Sequence, residues 1–289
     1  MAVLARCRQL APEDASERFS GWCALQASMT TRRRILVRCT PMVDRLFADA
    51  ALAALYDRMN ERRRRADFDF YLPMVMAANT VLDVGCGTGA MLKEARAAGH
   101  TGRLCGLDPA AGMMTEARTA PDIEWIEGDL TSATWDGAFD LVVMTGHAFQ
   151  VFVEDDDVRT ALAAVRKSLA PGGHFAFETR NPAAREWECW TPDQAREFRD
   201  AAGRTVRIMR RVTKPFDGCT VSFEHTFTSP EWPDAKSSRS TLRFLDAPSL
   251  AGFLAEAGLM IDTQFGDWDR SPLTAASPEI ITIARAMCR

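Results

Sequence analysis

The stretch VLDVGCGTGAM, residues 81–91, places glycines at 85, 87 and 89 behind a short apolar run that contains Asp83. A glycine turn between a strand and a helix lets a ligand lie against bare backbone and the helix N-terminus. Asp108 ends a second apolar run 19 residues after Gly89, where a carboxylate accepts both hydroxyls of a ribose. These two features narrow the ligand to a dinucleotide or S-adenosylmethionine.

Asp83 separates the two. A dinucleotide sets a pyrophosphate at the glycine turn, and a carboxylate two residues before it repels that charge. S-adenosylmethionine carries an ammonium in its methionine half, which pairs with an acid beside the loop. Two more segments agree. Gly128-Asp129-Leu130 ends a third run, where an aspartate accepts from the exocyclic amine of adenine, and Leu169–Gly173 (LAPGG) makes a turn into a further strand.

The elements that hold these residues follow from periodicity. Apolar residues recur at helical spacing from Met42 to Arg65, with a break near Asp49, and Phe68 to Met76 continues apolar and aromatic. Strands and helices then alternate: strands at 81–85, 103–108, 123–129, 139–146 and 174–180, helices at 88–98, 110–118 and 155–169. The strands are near-continuous apolar runs, as in a parallel sheet covered on both faces. Residues 204–213, 219–229 and 238–245 alternate with period two and read as antiparallel strands. A helix at 248–257 and strands at 259–265 and 279–286 close the pattern. The expected fold is α/β: a doubly wound, mostly parallel seven-stranded Rossmann-like sheet with an inserted antiparallel β segment. The expected organisation is a poorly ordered extension (1–43), a core with a helical cover (44–186 and 246–289), and an insertion (187–245). That insertion emerges at the carboxyl edge of the sheet, where such folds bind ligands, and is placed to form a lid or substrate wall.

DVGCGTG, LDPAAGMM, EGDL, VVMTG and LAPGG, in this order, resemble the class I S-adenosylmethionine-dependent methyltransferases over residues 81–182 and the tail from about 246. The resemblance implies that Asp83 and Gly85, Gly87 and Gly89 face the methionine part. It puts Asp108 at the ribose, Pro109 and Met113 at the adenine edge, Gly128, Asp129 and Leu130 at the adenine, and Thr145-Gly146 at the sulfonium side. Cys86, inside the loop, is expected to pack rather than react. The insertion, together with Tyr56 in Leu55-Tyr56-Asp57, is similar to small-molecule N-methyltransferases of amino-sugar and glycine type, whose N-terminal tyrosine approaches the cofactor.

Methyl transfer from a sulfonium is an in-line displacement, so alignment supplies most of the catalysis. A base matters only where the acceptor arrives protonated. His147, just past the fourth strand, is the expected base. Tyr71, Arg180, Asn181 and His225 are the expected substrate contacts. The bland readings are a buried tyrosine with a satisfied hydroxyl, an asparagine that holds a turn, and a strand histidine in the core. Trp187, Trp190, Trp232 and Trp268 either line a pocket or fill a second core.

Composition excludes little else. The chain has 289 residues, a net charge of −4, and only four lysines among 35 basic residues. The eight cysteines form no metal-ligand spacing and are expected as reduced thiols. The run Arg62–Arg65 reads as a solvated helix face. No membrane span and no secretory signal is read, so a cytoplasmic enzyme, monomer or homodimer, is expected. No metal is expected. The expected acceptor is a small molecule methylated on N or O. The alternatives are an RNA methyltransferase that uses the basic residues 1–66, a non-catalytic S-adenosylmethionine-binding subunit, and an NAD(P) oxidoreductase, which Asp83 disfavours.

Overall fold

The computed structural model describes residues 43–61 and 65–287, and Val43 onward forms one compact unit. The expected extension lies outside the described residues except for Val43.

Asp49 breaks the first helical stretch. It ends α1 (Arg45–Ala48), and its carboxylate accepts from the backbone N–H of Ala51 and Leu52 to cap α2 (Ala50–Met59). A side-chain cap of this kind contributes about 1 kcal/mol. The aromatic run that follows folds as α3 (Ala66–Ala77). Next come β1 (Thr80–Val84), α4 (Ala90–Ala97), β2 (Arg103–Asp108), α5 (Ala111–Ala117), β3 (Glu124–Glu127), β4 (Phe139–Met144), α6 (Asp155–Ser168) and β5 (Leu169–Arg180). Three aspartates open α6, and Arg166 and Lys167 close it, so charge complements the helix dipole at both ends.

The chain then enters the antiparallel segment, with β6 (Arg196–Arg199), β7 (Thr205–Lys214), β8 (Thr220–Thr228) and β9 (Lys236–Arg243). Of these only β6 had no sequence signal, because four residues, REFR, are too few to display a period. It returns through α7 (Ala247–Glu256), β10 (Leu259–Phe265) and β11 (Glu279–Ala286).

The larger sheet has seven strands in the order β10-β11-β5-β4-β1-β2-β3, and the smaller has four in the order β6-β7-β8-β9. Strands β1 to β5 pair in parallel; β11 runs antiparallel to β5 and β10. Chain order reverses between β1 and β4, so ligand space opens at their carboxyl ends.

Apolar clusters on both sheets hold these layers. Under one face of the large sheet Leu82, Val142, Phe175 and Phe177 pack on α6 and α7, and under the other Val81, Val143 and Ile281 pack on α3 and α4. The small sheet is held differently. Val206, Ile208 and Phe227 on its inner face pack on Leu46, Leu52, Leu55 and Met59 of α1 and α2. Further along that face Val221 and Phe223 pack with Trp187, Trp190 and Phe244. Trp187 and Trp190 therefore fill a second core. Arg243 ties the sheet back, reaching Asp155 at 2.5 Å and the Val153 carbonyl at 3.1 Å.

Cys86, Cys105 and Cys219 are free thiols, whereas Cys189 is disulfide-bonded, which departs from the all-reduced expectation. Among the described residues no helix is long and apolar enough to cross a membrane, and no cluster of ligating side chains could hold a metal ion.

Candidate active site

Parallel pairing sets the ends of four neighbouring strands side by side. Asp83 lies level with Gly106 of β2 and Val143 of β4, so the segments after β4, β1, β2 and β3 share one edge. That edge carries Thr145-Gly146, the glycine turn, Asp108 and Asp129.

All three turn glycines have positive φ, between 55° and 74°. They do not serve one purpose. A Cβ on Gly89 would lie 2.1 Å from the Trp125 ring, so this glycine admits a tryptophan. At Gly87 the nearest atom to such a Cβ is Met113 Sδ at 4.0 Å, which leaves the backbone open. Asp108 closes the turn from below: one carboxylate oxygen accepts from Gly87 N–H and the other from Ala110 N–H, both at 2.8 Å. Cys86 packs with Met114, Ala117 and Trp125, and burial pushes its thiol well up.

Asp83 is 1% exposed, and its Oδ1 has no hydrogen-bond partner among the described residues. Burial, then the charge of Asp108, pushes its pKa up to about 7, while Arg65 pulls it down. A buried carboxylate oxygen left bare is costly, and a cation beside it removes the cost.

Arg65 is a residue that the sequence reading missed. The run Arg62–Arg65 reads as a solvated face, yet the Arg65 side chain is only 19% exposed. Its Nε donates to both Asp67 oxygens, at 2.9 and 3.0 Å. An arginine run hides which member folds inward. Arg65 Nη2 lies 3.8 Å and the Tyr56 hydroxyl 4.0 Å from where a Gly146 Cβ would stand. Tyr56, Arg65 and Gly146 thus meet over the switch point. Burial raises the Tyr56 pKa against the pull of Arg65. Asp57, next to Tyr56, accepts from Thr88 Oγ1 at 2.7 Å and fastens α2 to the glycine turn.

The other expected contacts divide between the core and the edge. Met113 is 1% exposed and packs with Ala53 and Ala110 beneath α2; Leu130 belongs to the main core. Pro109 is exposed, and Gly128 donates its N–H to the Asp108 carbonyl. Asp129 Oδ1 accepts from Thr131 N–H, Thr131 Oγ1 and Ser132 N–H. These hydrogen bonds outweigh partial burial and hold its pKa low.

Two expected substrate residues do not reach the site. Tyr71 is fully buried and donates to Glu178 Oε2 at 2.6 Å. Asn181 is 6% exposed, and its amide donates to the Thr274 and Ser277 carbonyls while its oxygen accepts from Ala183 N–H. Their hydrogen-bonding capacity is spent on the scaffold, because both side chains lie inside rather than at the edge.

His147 sits in the left-handed region at φ 64°. Glu178 Oε1 accepts its backbone N–H at 2.7 Å, and its Nε2 lies 2.9 Å from Glu279 Oε2. Neither glutamate was foreseen; Glu178 lies in a run buried on both faces and Glu279 is 132 residues away from His147 in sequence. Arg180 lies 2.7 Å from Glu186 and donates to Gln150 at 2.9 Å. His225 faces inward at 7% exposure, while Glu224 turns outward between Arg211 and Arg239.

With this geometry in view, the comparisons with known proteins are specific. Residues 81–173 match the family model described as a methyltransferase domain. The chain is 28% identical to the cypemycin N-terminal methyltransferase of Streptomyces sp, over 71% of this chain and 82% of that protein. It is 24% identical to the trans-aconitate 2-methyltransferase of Escherichia coli O139:H28, over 72% of this chain and 86% of that one. Among solved structures it is similar to CalS10, an amino pentose methyltransferase from Micromonospora echinaspora solved with S-adenosylmethionine bound. That match has 24% identity and a TM-score of 0.61, and covers 80% of this chain and 97% of that one. These matches support the class I S-adenosylmethionine-dependent methyltransferase family, with residues 81–173 as its methyltransferase domain. The chain is an enzyme of small-molecule type that uses S-adenosylmethionine.

Proposed function

We propose that the enzyme transfers a methyl group to a nitrogen or oxygen of a small-molecule acceptor by in-line displacement, at the carboxyl ends of β1 and β4. The observation that carries this is the buried Asp83 Oδ1, without a partner among the described residues, beside an open glycine turn and under Arg65. Those groups fit the two charges of an amino acid moiety: Asp83 accepts from the ammonium, and Arg65 faces the carboxylate. Bound there, S-adenosylmethionine supplies a methyl group activated on a sulfonium.

The remaining work falls to the chain. Asp108 shapes the turn and offers its remaining lone pairs to the ribose, and Asp129 Oδ2 accepts from the adenine amine. Tyr56 roofs the site and excludes water from the reacting atoms. An ionised Glu279 only accepts, so His147 Nε2 carries a proton toward it and Nδ1 keeps the lone pair. Nδ1 is then the atom that takes a proton from an acceptor that arrives protonated. The relatives named above are a cypemycin N-terminal methyltransferase and a trans-aconitate 2-methyltransferase, and the CalS10 neighbour is an amino pentose methyltransferase, which supports a small-molecule acceptor.

Calorimetric titration with S-adenosylhomocysteine tests the assignment. Asp83→Asn keeps the size of the side chain and removes the charge, and affinity is expected to fall about ten- to a hundredfold. Undiminished affinity in that variant would remove Asp83 from the site.

A further inference from the structure

Across the small sheet Arg210 of β7 stands opposite His225 of β8, which stands opposite Ser238 of β9. This row lies between the two apolar clusters of the inner face, one built on Phe227 and the other on Phe223. Arg210 Nε donates to His225 Nε2 at 3.0 Å. A guanidinium only donates, so Nε2 is the acceptor and the imidazole proton sits on Nδ1. Among the described residues that Nδ1–H is a buried donor with no partner. The ring is neutral, since burial and then the Arg210 charge hold its pKa down to about 3.

Arg210 has an unusual setting. Its guanidinium carbon lies 4.8 Å from the Trp190 ring centre and 5.3 Å from that of Phe223. Stacking and the His225 contact fix the fork. Arg180 is matched by Glu186, but among the described residues Arg210 has no carboxylate partner, and its two terminal nitrogens have no hydrogen-bond acceptor. Burial, then Arg180, pushes its pKa down to about 10 while Glu186 pulls it back, so two arginines share the field of one carboxylate. The cluster adjoins the reaction edge: Arg210 senses Tyr56, Glu186 senses His147, and Arg180 ends β5 beside the His147 segment.

We propose that Arg210, held by His225 and Trp190 and flanked by Arg180, binds an oxyanion of the methyl acceptor, a carboxylate or a phosphate. The substrate class is thus an anionic small molecule whose charged end rests on the small sheet while its nucleophile points to the carboxyl edge of the large one. Two donors left without acceptors, a fixed guanidinium fork and the buried Nδ1–H, call for an occupant rich in acceptor oxygens. This inference rests on reading the edge as the site of methyl transfer.

The test is a calorimetric titration of the full chain saturated with S-adenosylhomocysteine, using sodium phosphate in one series and sodium succinate in another. At least one is expected to bind wild type. Arg210→Gln should weaken that binding about tenfold or more, and Arg210→Lys should weaken it less, because charge remains but the fork is lost. Arg285→Gln, at a distant exposed pair with Asp262, should change nothing. Binding of phosphate alone assigns a phosphorylated acceptor, and binding of succinate alone assigns a carboxylate. Absence of binding by either anion to wild type, or equal binding by Arg210→Gln, overturns the proposal. S-adenosylhomocysteine affinity is measured in every variant. Its loss from wild type would overturn the methyl-transfer reading, whereas its retention without anion binding defeats the oxyanion site alone.

Discussion

Asp83 shows how one buried carboxylate couples cofactor binding to pH. Its pKa in the fold is raised to about 7 by burial and by Asp108, against an ordinary carboxylate value when unfolded. Only the ionised form pairs with an ammonium. Affinity for S-adenosylhomocysteine is therefore expected to rise with pH up to about 7 and to level off above it. Asp83→Asn should flatten that part of the profile, and calorimetry from pH 5.5 to pH 8.5, centred on that value, would display it. The sign for the ligand-free protein is opposite. A raised pKa means that the folded state holds the proton more tightly, so this stability is full below the unfolded pKa and is lost as pH rises toward about 7. Thermal melts of wild type without ligand should fall over that window, and Asp83→Asn should lack this component.

At the scale of elements, the glycine turn divides its tasks between a ligand and a neighbouring strand. Gly89→Ala adds a Cβ 2.1 Å from Trp125 at φ 74°, so it is expected to cost more than about 1 kcal/mol and lower the melting temperature. Gly252→Ala in α7 meets nothing within 4 Å and is expected to be neutral or to stabilise by about 0.5–1 kcal/mol. Equal melts for the two variants would refute the packing role of Gly89. The turn was legible because strand, glycines and acid are contiguous, but Trp125 as the reason for Gly89 was not, since it comes from β3. Arg210 had a readable signal: it shares strand parity with Val206 and Ile208, which face the core. Arg65 had none, because in four consecutive arginines every face of a helix is charged. Asn181 was legible as a polar group at a strand end and Tyr71 as a polar tip in the aromatic run before the glycine turn, yet their direction depends on which partner lies behind them.

For the whole molecule, α1 and α2 bury Leu46, Leu52, Leu55 and Met59 on the small sheet, while Ala53 meets Met113 of α5. Helices and sheet are thus expected to open as one cooperative unit, separate from the β1-β4-β5 centre. Native-state hydrogen exchange should give amides of Leu52–Met59 and of β7 and β8 a common opening free energy. S-adenosylhomocysteine should protect them further through Tyr56 and the Asp57–Thr88 contact. Separate opening energies for helix and sheet would contradict this.

The sequence by itself determined the parallel core, the order of its strands and helices, and the residues at the strand ends. Apolar period and glycine placement act locally and need no partner to be read. Only the tertiary structure decided that α2 lies on the small sheet, that Glu178 and Glu279 hold His147, and that Arg65 and Arg210 turn inward. Those choices rest on contacts between residues far apart in the chain, where burial and a missing or present partner, rather than residue type, set what each charge does.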